Sequence, residues 1–150
     1  MPDPTALRSE PVPAAEQPRL AIVGIDHLTL ICAEALRTLA FYRDTLGLTL
    51  VADGLNVDDS GARHLRFELG ATGQQLTFLE YRDLPHGSVG TGSTHHIALR
   101  VASADELPGW RAYFEVHGVS CSELYEREGV RSIYLRDPDG HLLELTAPLS

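Results

Sequence analysis

The order of predicted elements in this chain occurs twice. Residues 20–81 read as a strand, a helix and three strands, and residues 94–148 read as the same series again. In the first copy "LAIVGIDHLTLIC" is apolar and β-branched, as a buried strand requires. "AEALRTLAFYRDTLG" follows as an amphipathic helix with an apolar stripe of Leu36, Leu39, Ala40 and Leu46, and Gly47 stops it. "LTLVAD", "RHLRFELG" and "QQLTFLEY" are three short strands separated by Gly- and Asp-bearing turns. The second copy runs from "THHIALRV" through the helix "SADELPGWRAYFEVHG", with Ser103 and Glu106 at capping-box spacing, to the strands "CSELYE", "VRSIYLRD" and "HLLELTAP". Gly47 to Gly118 is 118 − 47 = 71 residues and His27 to His96 is 96 − 27 = 69, a drift that a few loop insertions explain. The fold class predicted is α+β, two tandem βαβββ modules whose mixed sheet curls into a cup around a central site.

A chain of 150 residues is the size of one domain with one core. Residues 20–150 are assigned to that domain. Residues 1–19, with prolines at 2, 4, 11, 13 and 18 and no apolar h-region, read as a flexible tail, neither signal peptide nor membrane anchor. A formal charge of −9 argues against nucleic acid or an anionic membrane surface as partner. Cys32 and Cys121 make no CxxC or zinc-type spacing, which fits a reducing cytoplasm.

Strand alternation decides which side chains face the cup. In "IDHLTL" Leu28 and Leu30 take the packing side and His27 and Thr29 the other. In "HHIALRV" Ile97, Leu99 and Val101 oppose His96, Ala98 and Arg100, so His96 faces the cup and His95 is left as a strand-end residue. In "HLLELTAP" Leu143 and Leu145 pack, leaving Glu144 inward, where a carboxylate needs a cation or strong donors. Two imidazoles and one carboxylate from three strands make a facial triad. Such a triad binds Fe(II) or Mn(II) with positions left open for substrate and dioxygen. Glu80 is a weaker fourth candidate. Aligning the copies gives 144 − 96 = 48 against 77 − 27 = 50 and 80 − 27 = 53, which puts Thr77 rather than Glu80 at the position matching Glu144.

The duplicated pattern together with "GIDHLTL", "FYRDTLGL", "HHIALRV" and "DPDGHLLEL" resembles the vicinal oxygen chelate superfamily over residues 20–148. That superfamily includes glyoxalases, bleomycin- and fosfomycin-resistance proteins, methylmalonyl-CoA epimerases and extradiol ring-cleaving dioxygenases. The resemblance implies His27, His96 and Glu144 as ligands of a divalent metal, Fe(II) or Mn(II) before Ni(II) or Zn(II), and a homodimer. "IYLRDPDGHLLE" is similar to the extradiol signature, with Tyr134 ten residues before Glu144. The acid/base histidine of the catechol type is absent, since Tyr125, Glu126 and Arg127 stand there. "GTGSTHHIALRV" and "EREGVRSIYLRDPDGHLLELTA" resemble the hydroquinone-cleaving branch more closely.

The expected activity is a metal-dependent dioxygenase that opens a hydroxylated aromatic ring, an aromatic diol or similar small chelator being its substrate. The metal would serve as template and Lewis acid, Tyr134 would hydrogen-bond the substrate, and His64 or Arg66 would supply acid/base or anion contacts. The alternatives are a glyoxalase- or epimerase-like lyase or isomerase, a fosfomycin-type thiol transferase, and a metal-free drug- or metabolite-binding protein. The sequence shows little evident cationic cluster for a phosphonate, which places the transferase lower. Imidazole ligands must be neutral to bind metal. Occupancy measured by metal analysis is therefore expected to fall as pH drops below the ordinary histidine range, roughly 6.5.

Overall fold

The computed structural model describes residues 21–59 and 61–150; the predicted tail of residues 1–19 lies outside them. The chain is α+β, with two four-stranded mixed sheets built as tandem βαβββ modules. The first module holds β1 (His27–Cys32), α1 (Ala35–Leu39) continuing as a wide turn over Ala40–Thr45, β2 (Thr49–Leu55), β3 (Arg63–Glu68) and β4 (Gln75–Glu80). The second holds β5 (Ile97–Arg100), α2 (Leu107–Val116), β6 (Tyr125–Arg127), β7 (Val130–Arg136) and β8 (Leu142–Pro148). The strand orders are β1-β4-β3-β2 and β5-β8-β7-β6, so each first strand pairs in parallel with the last strand of its own module.

The pairing register reproduces the duplication. Thr29 lies opposite Thr77 in the first sheet, and Ala98 lies opposite Glu144 in the second. Each of those first partners is two residues beyond a histidine, His27 or His96. Thr77 therefore holds in one sheet the place that Glu144 holds in the other.

Several elements differ in extent from the sequence reading. β1 starts at His27 rather than at residue 20, because its partner β4 starts at Gln75 and the chain before that turns through residues 69–74. β5 starts at Ile97, so His95 and His96 both precede it. The "CSELYE" strand shrinks to Tyr125–Arg127 with one isolated bridge between Cys121 and Leu135. There the Ser122 hydroxyl accepts from the Tyr134 N–H and takes the place of a ladder bond. The first helix widens after Leu39, the Leu46 N–H reaching back five residues to the Phe41 carbonyl at 2.9 Å. Leu36, placed in the apolar stripe by the sequence, is 65% exposed, because the buried face of this segment runs through Ala35, Thr38, Leu39 and Tyr42 instead. Gly47 and Gly118 end the two helical segments with φ of 76° and 69°, the left-handed conformation that glycine adopts without strain.

A single apolar cluster runs through both modules, taking in Leu39, Tyr42, Phe67 and Phe78 from the first and Leu107, Phe114, Ile133 and Leu143 from the second. Full burial of such a side chain contributes roughly 1.5–3 kcal/mol. The modules are also tied by polar bonds. Tyr113 Oη donates to the Thr45 carbonyl at 2.9 Å, and Tyr42 Oη donates to Asp137 Oδ2 at 2.8 Å. Asp137 is only 6% exposed, and its other carboxylate oxygen accepts the Asp139 and His141 N–H groups at 2.9 Å each. Replacing Tyr42 by Phe leaves Asp137 Oδ2 buried without its donor. The expected cost is about 1–3 kcal/mol, read as a lower urea midpoint at unchanged slope.

Candidate metal centre

Alternation along β1, β5 and β8 sorts side chains as the sequence predicts, with Leu30, Leu143 and Leu145 buried and Thr29, Ala98 and Arg100 exposed. The helix-bearing sides of both modules share the core just described. The opposite sheet faces, which carry the candidate residues, are left on the outside.

On the second sheet these residues form a grid. β7 presents Ser132, Tyr134 and Arg136; their partners on β8 are Thr146, Glu144 and Leu142; Ala98 and Arg100 continue the rows on β5. At one end His96 Nε2 lies 3.0 Å from Glu144 Oε2. The second Glu144 oxygen, Oε1, accepts from Ser132 Oγ at 2.5 Å. A carboxylate only 9% exposed is thus met on both oxygens. The Tyr134 ring stands 5.9 Å from the His96 ring, edge to face. Its phenol is held above its ordinary value, first by desolvation and then by the Glu144 charge. His95 does not reach Glu144. It shares an Nδ1···Nδ1 hydrogen bond of 2.8 Å with His96, which leaves the His96 Nε2 aimed at the carboxylate.

The first sheet carries the other candidates. His27 Nδ1 is 2.6 Å from Asp26 Oδ1, and its side chain is 54% exposed. Thr29 and Thr77 share a hydroxyl bond of 2.7 Å. His64 and Arg66 lie on the same open face, paired across β3 and β4 with Leu79 and Thr77. Desolvation, then the charges of Arg66 and His27, holds the His64 imidazole below its ordinary value.

The structure therefore brings His96, Glu144 and Tyr134 together and sets His27, His64 and Arg66 together on a different sheet. The predicted convergence of His27 with His96 and Glu144 does not occur inside one chain. Among the described residues no three His, Cys, Asp or Glu side chains converge where a metal could sit. His27 stands on β1 of the first sheet and Glu144 on β8 of the second, and among the described residues no strand pairing joins the two sheets. Two of the three donors a facial triad needs are assembled, so toward a divalent metal one chain offers an incomplete set. Glu80 has a different occupation. Its Oε2 accepts the Ala35 N–H at 2.6 Å, capping the first residue of α1, and Arg82 lies 3.3 Å from Oε1. Sequence reasoning overlooked Ser132 and Arg136, although the alternation that selects Tyr134 selects both neighbours as well.

The profile of the Glyoxalase/Bleomycin resistance protein/Dioxygenase superfamily matches residues 24–145, and the chain belongs to that superfamily. It is 34% identical over 130 residues to MhqA of Bacillus subtilis (strain 168), provisionally named a ring-cleaving dioxygenase. That match covers 85% of this chain and 41% of MhqA, so the chain spans about two fifths of that relative's length. It is 31% identical over 126 residues to the metallothiol transferase FosB of Staphylococcus epidermidis, covering 83% of each. Among solved structures, the E126Q mutant of the fosfomycin resistance protein FosX from Listeria monocytogenes, complexed with Mn(II) and a dihydroxypropylphosphonic acid, superposes with a TM-score of 0.63. It is 26% identical and covers 83% of this chain and 92% of FosX. Members of the superfamily thus include metal-dependent proteins that act on small molecules. Among the described residues no helix is long and apolar enough to cross a membrane.

The Ala35 N–H holds the Glu80 carboxyl below its usual value. A depressed carboxylate stabilises the fold above its unfolded pKa, and that contribution is lost as pH falls through the folded one. Glu80→Gln is expected to cost about 1 kcal/mol at neutral pH, measured by urea unfolding. The difference from the parent should close below about pH 4, and metal content should not change.

Proposed function

We propose that this chain is a mononuclear metal-dependent enzyme whose activity is ring cleavage of a hydroquinone or catechol by dioxygen, with Fe(II) or Mn(II) as the metal. Residues 20–150 act as one domain, in the cytoplasm, where the free thiols of Cys32 and Cys121 persist. The observation that carries the reading is the buried Glu144 carboxylate, aimed at His96 and flanked by Tyr134 on an outward face. A buried carboxylate beside an imidazole at an open surface is a poor stability device and a good half of a metal site. The identity to MhqA supports dioxygenation as the chemistry.

The missing donor is proposed to be His27 of a second copy. Apposing the open face of the first sheet of one copy to that of the second sheet of another would bring His27, His64 and Arg66 to His96, Glu144 and Tyr134. A two-fold homodimer would then hold two equivalent sites. In that arrangement His27, His96 and Glu144 would hold the metal, which would supply Lewis acidity toward a substrate hydroxyl and redox chemistry toward dioxygen. Tyr134 donates to the substrate. His64 accepts a proton from a substrate hydroxyl, and Arg66 steadies the resulting anion.

A second reading, thiol transfer to a small electrophile, is favoured by the FosB match, which extends over 83% of both chains. Protein purified anaerobically is expected to retain Fe(II) or Mn(II) and to consume oxygen with hydroquinones or catechols. Thiol consumption with fosfomycin and no oxygen uptake would select the transferase instead. His96→Ala and Glu144→Ala should each weaken metal binding by more than about a hundredfold, beyond what loss of a supporting residue costs. Mixing His27→Ala with His96→Ala protein after subunit exchange should restore about a quarter of the sites, because half the dimers become mixed and one site in each is intact. A site built within one chain would recover nothing on mixing.

A further inference from the structure

All twelve Lys-or-Arg positions of this acidic chain are arginines, and half of the ten described ones are paired with acids. Arg37, Arg43, Arg63, Arg82 and Arg131 each lie within 4 Å of a carboxylate. Arg66, Arg100, Arg111, Arg127 and Arg136 have no carboxylate within 4 Å among the described residues, and of these five Arg136 alone lines the cleft beside His96. The Arg136 Nη1 donates to the Gly140 carbonyl at 2.7 Å, and its other donors are open. It stands on the same face of β7 as Tyr134, about 7 Å along the strand, and opposite Leu142.

Arg136 lines a cleft of about 730 Å3 that also takes in His96, His95, His86, Ile31 and Leu142. The volume suits a small organic molecule. One carboxylate, Asp139, is also on its wall; it keeps its charge, accepts the Ala33 N–H at 3.2 Å on Oδ1, and makes no ion pair with Arg136 within 4 Å. The cleft joins apolar surface to a guanidinium that is paired with no carboxylate, on the same wall as the histidine of the candidate metal centre. The fold thus provides a cationic element there that the linear sequence leaves scattered. A planar guanidinium with free donors on an apolar wall matches a planar carboxylate on a ring, which it grips by two parallel hydrogen bonds.

We propose that the cleft is an anion subsite in which Arg136 receives the ring carboxylate of an aromatic acid, so that the favoured substrates are dihydroxybenzoates rather than neutral diols. The substrate assignment rests on the dioxygenase reading above; the subsite itself does not. The two are separated by using benzoate, which carries the carboxylate but no hydroxyls to chelate or oxidise, as the probe in calorimetric titrations of the full chain.

Benzoate is expected to bind, benzyl alcohol to bind at least tenfold more weakly, and Arg136→Ala to lose roughly tenfold or more in benzoate affinity. Arg136→Lys should recover part of it, since the charge returns without the fork. Arg43→Ala, which removes the same charge from an exposed helical surface, should bind benzoate as the parent does. Equal affinity for benzoate and benzyl alcohol, or an Arg136→Ala affinity matching that of Arg43→Ala, would overturn the subsite. Thermal unfolding of Arg136→Ala and Arg136→Lys checks that loss of the bond to Gly140 has not unfolded the turn. If benzoate binds as expected and metal-loaded protein consumes oxygen with hydroquinone but not with 2,5-dihydroxybenzoate, the subsite stands and the dihydroxybenzoate assignment falls; if neither compound drives oxygen uptake, the subsite stands and the dioxygenase reading falls.

Discussion

The carboxylate of Asp137 joins the two halves of this protein. It lies in the turn between β7 and β8, takes two N–H groups from that turn, and receives the Tyr42 hydroxyl from the other module. A buried carboxylate must be satisfied, so this arrangement holds the helical segment of one repeat against the last hairpin of the other. That hairpin carries Tyr134 and Glu144 opposite each other. The same turn is held on two more sides. Arg37 donates to the Pro138 carbonyl at 2.7 Å, and the His141 ring bonds the Ile31 carbonyl at 2.8 Å. "DPDG" is therefore more than a tight turn; it is the place where the repeats interlock, and the geometry of the candidate centre hangs from it.

This interlocking has a consequence for function. Because the repeats share one core through their helical sides, the candidate ligands read from the sequence are divided between two sheets. Each set is internally ordered. Ser132 fixes one Glu144 oxygen and frees the other for His96, while Asp26 fixes one nitrogen of His27 and leaves the other free. Supporting partners of this kind set the tautomer and direction of ligands before a metal arrives.

Much of the architecture was legible because duplication and alternation are properties of the chain itself. The period-two pattern of β8 puts Leu143 and Leu145 on the core side and Glu144 on the other with no knowledge of what β8 packs against. The offset of 48 against 50 residues picks out Thr77 as the counterpart of Glu144, and the parallel register has it there. Less legible was the first helix, where Leu36 is exposed and Tyr42 buried, because the bond that Tyr42 makes is to Asp137, 95 residues away. Glu80 was equally opaque. A carboxylate at a strand end looks the same in sequence whether it binds a metal or caps a helix, and only the proximity of Ala35 distinguishes them.

The sequence by itself determined which residues share a face, since that follows from backbone geometry over a few residues, and it determined the superfamily, since the motifs lie in the turns and strands that make that fold. Only the tertiary structure decided which faces meet. Whether two repeats turn their helices or their open faces toward each other depends on contacts such as Tyr42 with Asp137 and Tyr113 with Thr45, each bridging dozens of residues. No local pattern encodes such a choice. It emerges from the burial of one shared core, and it leaves His27 on one surface of the chain and His96 with Glu144 on another.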